Sequence, residues 1–203
     1  MTVLTNRTIT FPHDPIKYEV LSWDHMTDLI FLVAEKIAAD NLKFDRIVSL
    51  AKGGWPMART LADFLEISEA SSIGARSYSG IGEHTSVPEV YQGMHDISGE
   101  DILLFDDLSD TGKTLEFINN YLLKRGAKSV TTATVYYKPH SVFKPDYYGK
   151  VTSSWVIFPY EILEASRLLT SKWQKQDMPE KEISTRLDSI GCQKSWRQFL
   201  DMP

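Results

Sequence analysis

The chain has 203 residues, enough for one domain with a sizeable core, or for one domain plus an appendage. Its net charge of -5 gives no broad basic field for nucleic acid, and a single cysteine, Cys192, excludes an intrachain disulfide and fits a reducing compartment. The opening MTVLTNRTITF lacks a signal peptide's apolar stretch, and the densest apolar segment, 29–39, is short and broken by Glu35 and Lys36, so no membrane partner is expected and the expected location is cytoplasmic.

Residues 1–15 are polar, contain Pro12 and Pro15, and read as an irregular lead-in. A short strand is expected at 18–21. Ser22 is a fitting N-cap for a helix over about 24–39, where Leu29, Val33 and Ile37 recur at helical spacing. Residues 47–51 read as a buried strand that runs into Lys52, Gly53 and Gly54. A second helix over about 56–65 carries Pro56 in its first turn, where proline is tolerated. A third strand is expected at 71–78. The stretch 79–99 is rich in Gly, Ser and charge without a clear period, and reads as a lid or a β-excursion.

Next comes ILLFDDLSDTGKTL at 102–115. Its four apolar residues form a strand buried on both faces, followed by Asp106 and Asp107 and then a short polar turn. A helix with Leu115, Ile118, Leu122 and Leu123 on one face follows, closed by Gly126. Residues 130–137 alternate Thr with larger side chains and read as a strand, stopped by Lys138 and Pro139. A loop with Pro139, Pro145 and Gly149 leads to a strand at 155–158. Helices are expected over 161–173 and about 179–190, with a last turn or two at 195–200. Alternating strands and helices imply an α/β fold with a mostly parallel sheet covered on both faces. Ligands in such sheets bind beyond the C-terminal strand ends. The residues at 52–54, 106–114 and 138 all fall there.

A strand end bearing two carboxylates, a Ser/Thr/Gly turn and a helix N-terminus together suit a phosphorylated sugar. The turn's N–H groups and the helix dipole attract phosphate, while carboxylates accept sugar hydroxyls and help hold a divalent cation. Gly112–Lys113–Thr114 invites a nucleotide P-loop reading, but that loop needs a glycine where Asp107 stands, and a carboxylate there would repel phosphate. Gly80–Ile81–Gly82 lacks the third glycine of a dinucleotide fingerprint, and the five histidines show no metal-ligand spacing.

The 102–115 stretch resembles the signature of the type I phosphoribosyltransferases, and the chain from about 22 to 167 resembles their 6-oxopurine branch, the hypoxanthine, guanine and xanthine enzymes. The resemblance implies that family's fold, with a phosphoribosyltransferase domain at 1–175. It further implies a small hood drawn from the N-terminal residues and about 139–160. The tail at 176–203 is left as a C-terminal helical extension. The implied activity is transfer of the phosphoribosyl group of phosphoribosyl pyrophosphate (PRPP) to a 6-oxopurine, with release of pyrophosphate, in purine salvage.

Site roles follow from the same resemblance. Lys52, Gly53 and Gly54 match the pyrophosphate loop, where the peptide before the lysine is often cis. Asp106 and Asp107 match the ribose- and metal-associated acids. Ser109, Asp110, Thr111, Gly112, Lys113 and Thr114 match the PRPP-binding turn, with Asp110 also beside N7 of the base. Lys138 matches the lysine that bonds the 6-oxo group. Trp155 and Val156 match the stacking aromatic and the backbone contact to the base. Glu161 matches a carboxylate shared by base and metal sides. Arg167 matches the arginine that meets pyrophosphate, and Tyr78 lies in the segment resembling the start of a mobile catalytic loop. Mg²⁺ is the implied cofactor, and a homo-oligomer (dimer or tetramer) the implied assembly. Two other readings stay open: a PRPP-binding regulator without turnover, prompted by the unmatched tail, and an enzyme for another base.

Overall fold

Buried apolar runs at the centre of the chain pair in parallel. β3 (Arg46–Ala51) lies between β6 (Asp101–Ser109) and β4 (Glu69–Tyr78), and β6 pairs in turn with β7 (Ser129–Tyr137). In this computed structural model residues 6–78, 87–92 and 96–200 are described, with the side chains of 76–78, 87, 88 and 92 outside the description. β8 (Tyr147–Val151) adds to the far side of β7 in parallel, and β5 (Val87–Gln92) adds to β4 antiparallel. The result is a six-stranded sheet in the order β5-β4-β3-β6-β7-β8. This is the mostly parallel α/β architecture that the alternating pattern predicts.

The chain divides into two compact units, one spanning Met26–Ser153 and the other Met1–His25 with Ser154–Pro203. The first holds the six-stranded sheet. α3 (Lys113–Lys124) packs Leu115, Ile118 and Leu122 with Val48, Leu50, Ile102 and Leu104 from one sheet face. Strand alternation turns Leu103 and Phe105 to the other face, where α2 (Trp55–Phe64) lies against β3 and β6. α1 (Trp23–Ala39) begins as Ser22 predicts, with the His25 N–H donating to Ser22 Oγ at 3.2 Å.

In the second unit, β1 (Arg7–Thr10), β2 (Lys17–Val20) and β9 (Trp155–Ile157) form a three-stranded sheet. α4 (Ile162–Gln174), α5 (Glu180–Ser189) and a 3₁₀ helix (Lys194–Phe199) complete it. Tyr18, Val20, Leu169 and Trp173 share one core with Ile183, Leu187, Ile190 and Cys192.

Several segments differ from the sequence reading. The lead-in contains β1, whose polar RTIT becomes a strand only through its antiparallel pairing with β2. The segment 139–160 is divided: its first part, with β8, belongs to the larger unit, and 154–160 belongs to the smaller. The tail is helical, and its α5 buries Ile183 and Leu187 in the smaller unit's core. β5 supplies the β-excursion expected within 79–99, while 79–86 and 93–95 lie outside the described residues. Among the described residues, no helix is long and apolar enough to cross a membrane.

Candidate active site

The loops that leave β3, β6 and β7 meet at the C-terminal end of the larger unit's sheet. Each is built from residues the sequence singles out. After β3 the Ala51–Lys52 peptide is cis, as the resemblance implies, and a turn follows in which the Gly54 N–H donates to the Leu50 carbonyl at 3.0 Å. Both glycines are required by space. A Cβ at Gly53 would fall 2.6 Å from the Asp107 carboxyl carbon, and one at Gly54 would fall 2.8 Å from the Phe105 carbonyl oxygen. The β3 loop is thereby pressed against the acidic pair, with the Lys52 side chain exposed.

Asp106 and Asp107 stand within β6, which runs on past the apolar residues to Ser109. The Asp107 N–H donates to Asp106 Oδ1 at 2.9 Å. Burial first, and the neighbouring Asp107 charge second, push the Asp106 carboxyl well above the usual carboxylate range. Two crowded, partly buried carboxylates have the electrostatics of a cation site. Among the described residues no group of three or more His, Cys, Asp or Glu could hold a metal alone. The pair suits a hard cation whose remaining ligands are substrate oxygens and water, the usual mode for Mg²⁺.

Gly112 sits at the N-cap of α3 with φ +79°, in the left-handed region. A Cβ there would also lie 2.6 Å from the Phe143 nitrogen and collide with the Ser141 hydroxyl. The loop after β7 is thus fastened to the turn after β6. Lys138 N–H donates to the Ser109 carbonyl at 3.0 Å and Val142 N–H to the Thr111 carbonyl at 2.9 Å. The buried Ser109 hydroxyl lies 2.9 Å from Ser141 Oγ and donates to the Phe143 carbonyl at 3.1 Å. Ser109 therefore spends its side chain on this fastening. Thr111 and Lys113 are exposed and Thr114 is half-buried at the start of α3, where free N–H groups and the dipole favour phosphate.

Asp110 and Lys138 come together, with Lys138 Nζ 3.1 Å from Asp110 Oδ1. The ammonium is held at the end of a nearly buried side chain, 10% exposed, while the Asp110 side chain is half exposed. His140 Nε2 reaches the same Oδ1 at 3.0 Å. Sequence reasoning misses His140, because its partner is thirty residues away and no ligand spacing along the chain marks it. The available signal was its place two residues after Lys138. A cleft of about 300 Å³ is lined by Ala51, Gly53, Asp106, Asp107, Asp110, Thr111, Gly112 and Thr114. A larger groove of about 730 Å³ runs along α2 and β4 past Trp55, Arg59 and Ser72. It contains none of the predicted site residues, and convergent polar groups mark the smaller cleft as the candidate site.

Of the remaining predicted residues, all but Tyr78 stand on the smaller unit. Trp155, on β9, packs its ring against Tyr18 at 5.4 Å, and the Val156 side chain is buried. Glu161 occupies the N-cap position of α4 and accepts the Phe158 N–H at 3.2 Å. Arg167, exposed on α4, donates to the Phe199 carbonyl at 2.7 Å. Tyr78 ends β4, and its side chain lies outside the described residues.

A mostly parallel sheet with an acid pair and a turn suited to phosphate at its C-terminal end has the features of a protein that handles a phosphorylated sugar. The family profile for the phosphoribosyl transferase domain matches residues 19–164, and the chain belongs to that family. It is 31% identical over 143 residues to a xanthine-guanine phosphoribosyltransferase of Desulfotalea psychrophila, covering 70% of this chain and 84% of the relative. A second enzyme of that name, from a Ruegeria species, is 28% identical over 153 residues, with the same shares covered. Among solved structures, a purine phosphoribosyltransferase from Pyrococcus horikoshii superposes with a TM-score of 0.63 at 34% identity, covering 70% of this chain and 92% of its own.

Proposed function

We propose that this protein is a purine phosphoribosyltransferase that joins the phosphoribosyl group of PRPP to a 6-oxopurine in purine salvage, releasing pyrophosphate in the cytoplasm. The observation that carries the reading is the Lys138–Asp110 pair, 3.1 Å apart at the edge of the cleft. It sets a cationic donor beside a carboxylate acceptor. A 6-oxopurine protonated at N7 presents the complement, an acceptor O6 beside an N7–H donor. A 6-aminopurine presents two hydrogens where Lys138 needs an acceptor. The names of the relatives favour the same substrate class.

In this reading the α3 turn holds the 5′-phosphate and Asp106 and Asp107 accept the ribose hydroxyls. The loop of Lys52, Gly53 and Gly54 receives pyrophosphate. The bond from C1′ to the pyrophosphate oxygen breaks as N9 bonds to C1′, and the N7 proton passes to Asp110. Mg²⁺, held by PRPP with Asp106 and Asp107, would neutralise charge on the leaving group. By the family resemblance, Trp155 would offer a stacking face, Val156 a backbone contact, Glu161 its carboxylate and Arg167 a contact to pyrophosphate. Incubation with PRPP, Mg²⁺ and each of hypoxanthine, guanine and xanthine tests the proposal. Nucleotide and pyrophosphate are expected in equal amounts from at least one base, and chelation of Mg²⁺ should stop the reaction. No product from any of the three sinks it.

A further inference from the structure

His140 stands in none of the roles above, yet it is built into the site. Lys138, Pro139, His140 and Ser141 make a turn closed by the Ser141 N–H donating to the Lys138 carbonyl at 2.9 Å. Pro139 occupies the second position of that turn, where its fixed φ pre-sets the bend, and His140 occupies the third. The turn is fastened on both sides to the β6–α3 turn, through Lys138 to Ser109 and through Val142 to Thr111. The turn places His140 beside Asp110, with its imidazole 60% exposed.

At Asp110 the arrangement is asymmetric. Oδ1 takes both Lys138 Nζ at 3.1 Å and His140 Nε2 at 3.0 Å. A carboxylate oxygen has two lone-pair sites, and a carboxylate only accepts, so Nε2 carries the hydrogen in this contact and Oδ1 is filled. No described residue bonds Oδ2. We infer that His140 is a positioning residue: with Lys138 it saturates Asp110 Oδ1 and locks the carboxylate rotation that leaves Oδ2 to accept the purine N7–H. Lys138 has three N–H donors, so one can turn to the base O6 while another stays on Oδ1, and the His140 N–H is the second hold on that oxygen; its contribution is therefore to the base and not to PRPP.

The inference rests on the 6-oxopurine reading, and steady-state kinetics of wild type, His140→Ala and His140→Gln separate the two. Gln places an amide N–H close to where Nε2–H stands, whereas Ala removes the donor. The His140→Ala variant is expected to lose about tenfold in kcat/KM for the base, the size of one charge-assisted hydrogen bond. Its KM for PRPP and its melting temperature should stay at the wild-type values. Gln should restore most of the loss. A His140→Ala variant with wild-type base kinetics overturns the inference while leaving the function standing. Equal losses toward PRPP and base, or no rescue by Gln, overturn it as well, because they mark a structural role. A wild-type protein inactive with all three 6-oxopurines overturns the functional reading and this inference with it.

Discussion

Asp110 shows how one side chain acquires a role from its neighbours. Its place just before α3 suits a helix cap, but the N-cap position belongs to Gly112, which makes no side-chain cap bond. Asp110 is turned instead to Lys138 and His140. Replacement by Asn keeps the shape and removes the proton acceptor. The Asp110→Asn enzyme should lose about 10²–10⁴-fold in kcat, the usual share of a general base, with KM for PRPP unchanged. Stopped-time nucleotide assays at varied PRPP check this, and a wild-type kcat would remove Asp110 from the chemistry. The acid pair, the glycines at 53, 54 and 112 and Lys138 were legible in the sequence because they sit in strand-end motifs that resemble the family's, although their contacts are long-range. His140 was not, since its partner is brought to it only by the parallel pairing of β6 with β7.

At the scale of elements, the two ends of the central strands do different work. At the start of β3, Arg46 makes a two-pronged contact with Glu100, at 2.7 and 3.0 Å, that fastens the sheet far from the cleft. The polar groups at the other end line the cleft. Most elements announced themselves through apolar period, caps and breakers. β8 did not: YYGKV has a glycine at its centre and follows Pro145, so it reads as loop. Yet Gly149 is what lets the strand lie there, since a Cβ would come within 2.9 Å of the Val135 carbonyl oxygen and 3.2 Å of the Leu29 carbonyl oxygen.

The hairpin of β1 and β2 depends on a buried polar knot that no periodicity reveals. Tyr18 Oη donates to Asp14 Oδ2 at 2.7 Å, and Lys172 of α4 donates to both carboxylate oxygens at 2.9 and 3.0 Å. Burial pushes the Asp14 carboxyl up, but the hydrogen bonds from Lys172, Tyr18 and the Ile16 N–H outweigh it, so the group titrates below its ordinary 3.8. A carboxyl depressed in the folded state stabilises fully above its unfolded pKa, and that stability is lost as pH falls through the folded pKa. Asp14→Asn should therefore cost about 1–3 kcal/mol at neutral pH. The gap from wild type should hold constant down to about pH 5 and close below the ordinary carboxylate value. Denaturant titrations at several pH values check it, and a gap that widens in acid would contradict it.

At the scale of the molecule, the α/β class and the site's position at the strand ends follow from the alternation of strand and helix. The partition into units does not, because the chain enters the smaller unit twice, from both termini. The tail reads as an appendage when only its lack of a family match is considered. Its spacing of Ile183, Leu187 and Ile190 already implied a buried helical face, and these side chains complete the core around Trp173. Burying one such aliphatic contributes about 1.5–3 kcal/mol. A chain ending at residue 175 should thus lose the near-ultraviolet dichroism of the packed aromatics in that unit and melt at a lower temperature. A truncated chain that melts like the whole would show the tail to be dispensable.

The central claim concerns which purine meets Lys138 and Asp110. Initial rates of pyrophosphate release with PRPP and Mg²⁺, comparing hypoxanthine with adenine in the wild type and in Lys138→Ala, test it most directly. The account predicts a preference for hypoxanthine of at least about 100-fold, from a Lys138 N–H left without an acceptor where it faces the amino group, and its collapse in Lys138→Ala. Adenine turned over as well as hypoxanthine, or a preference that survives loss of the lysine, would contradict it.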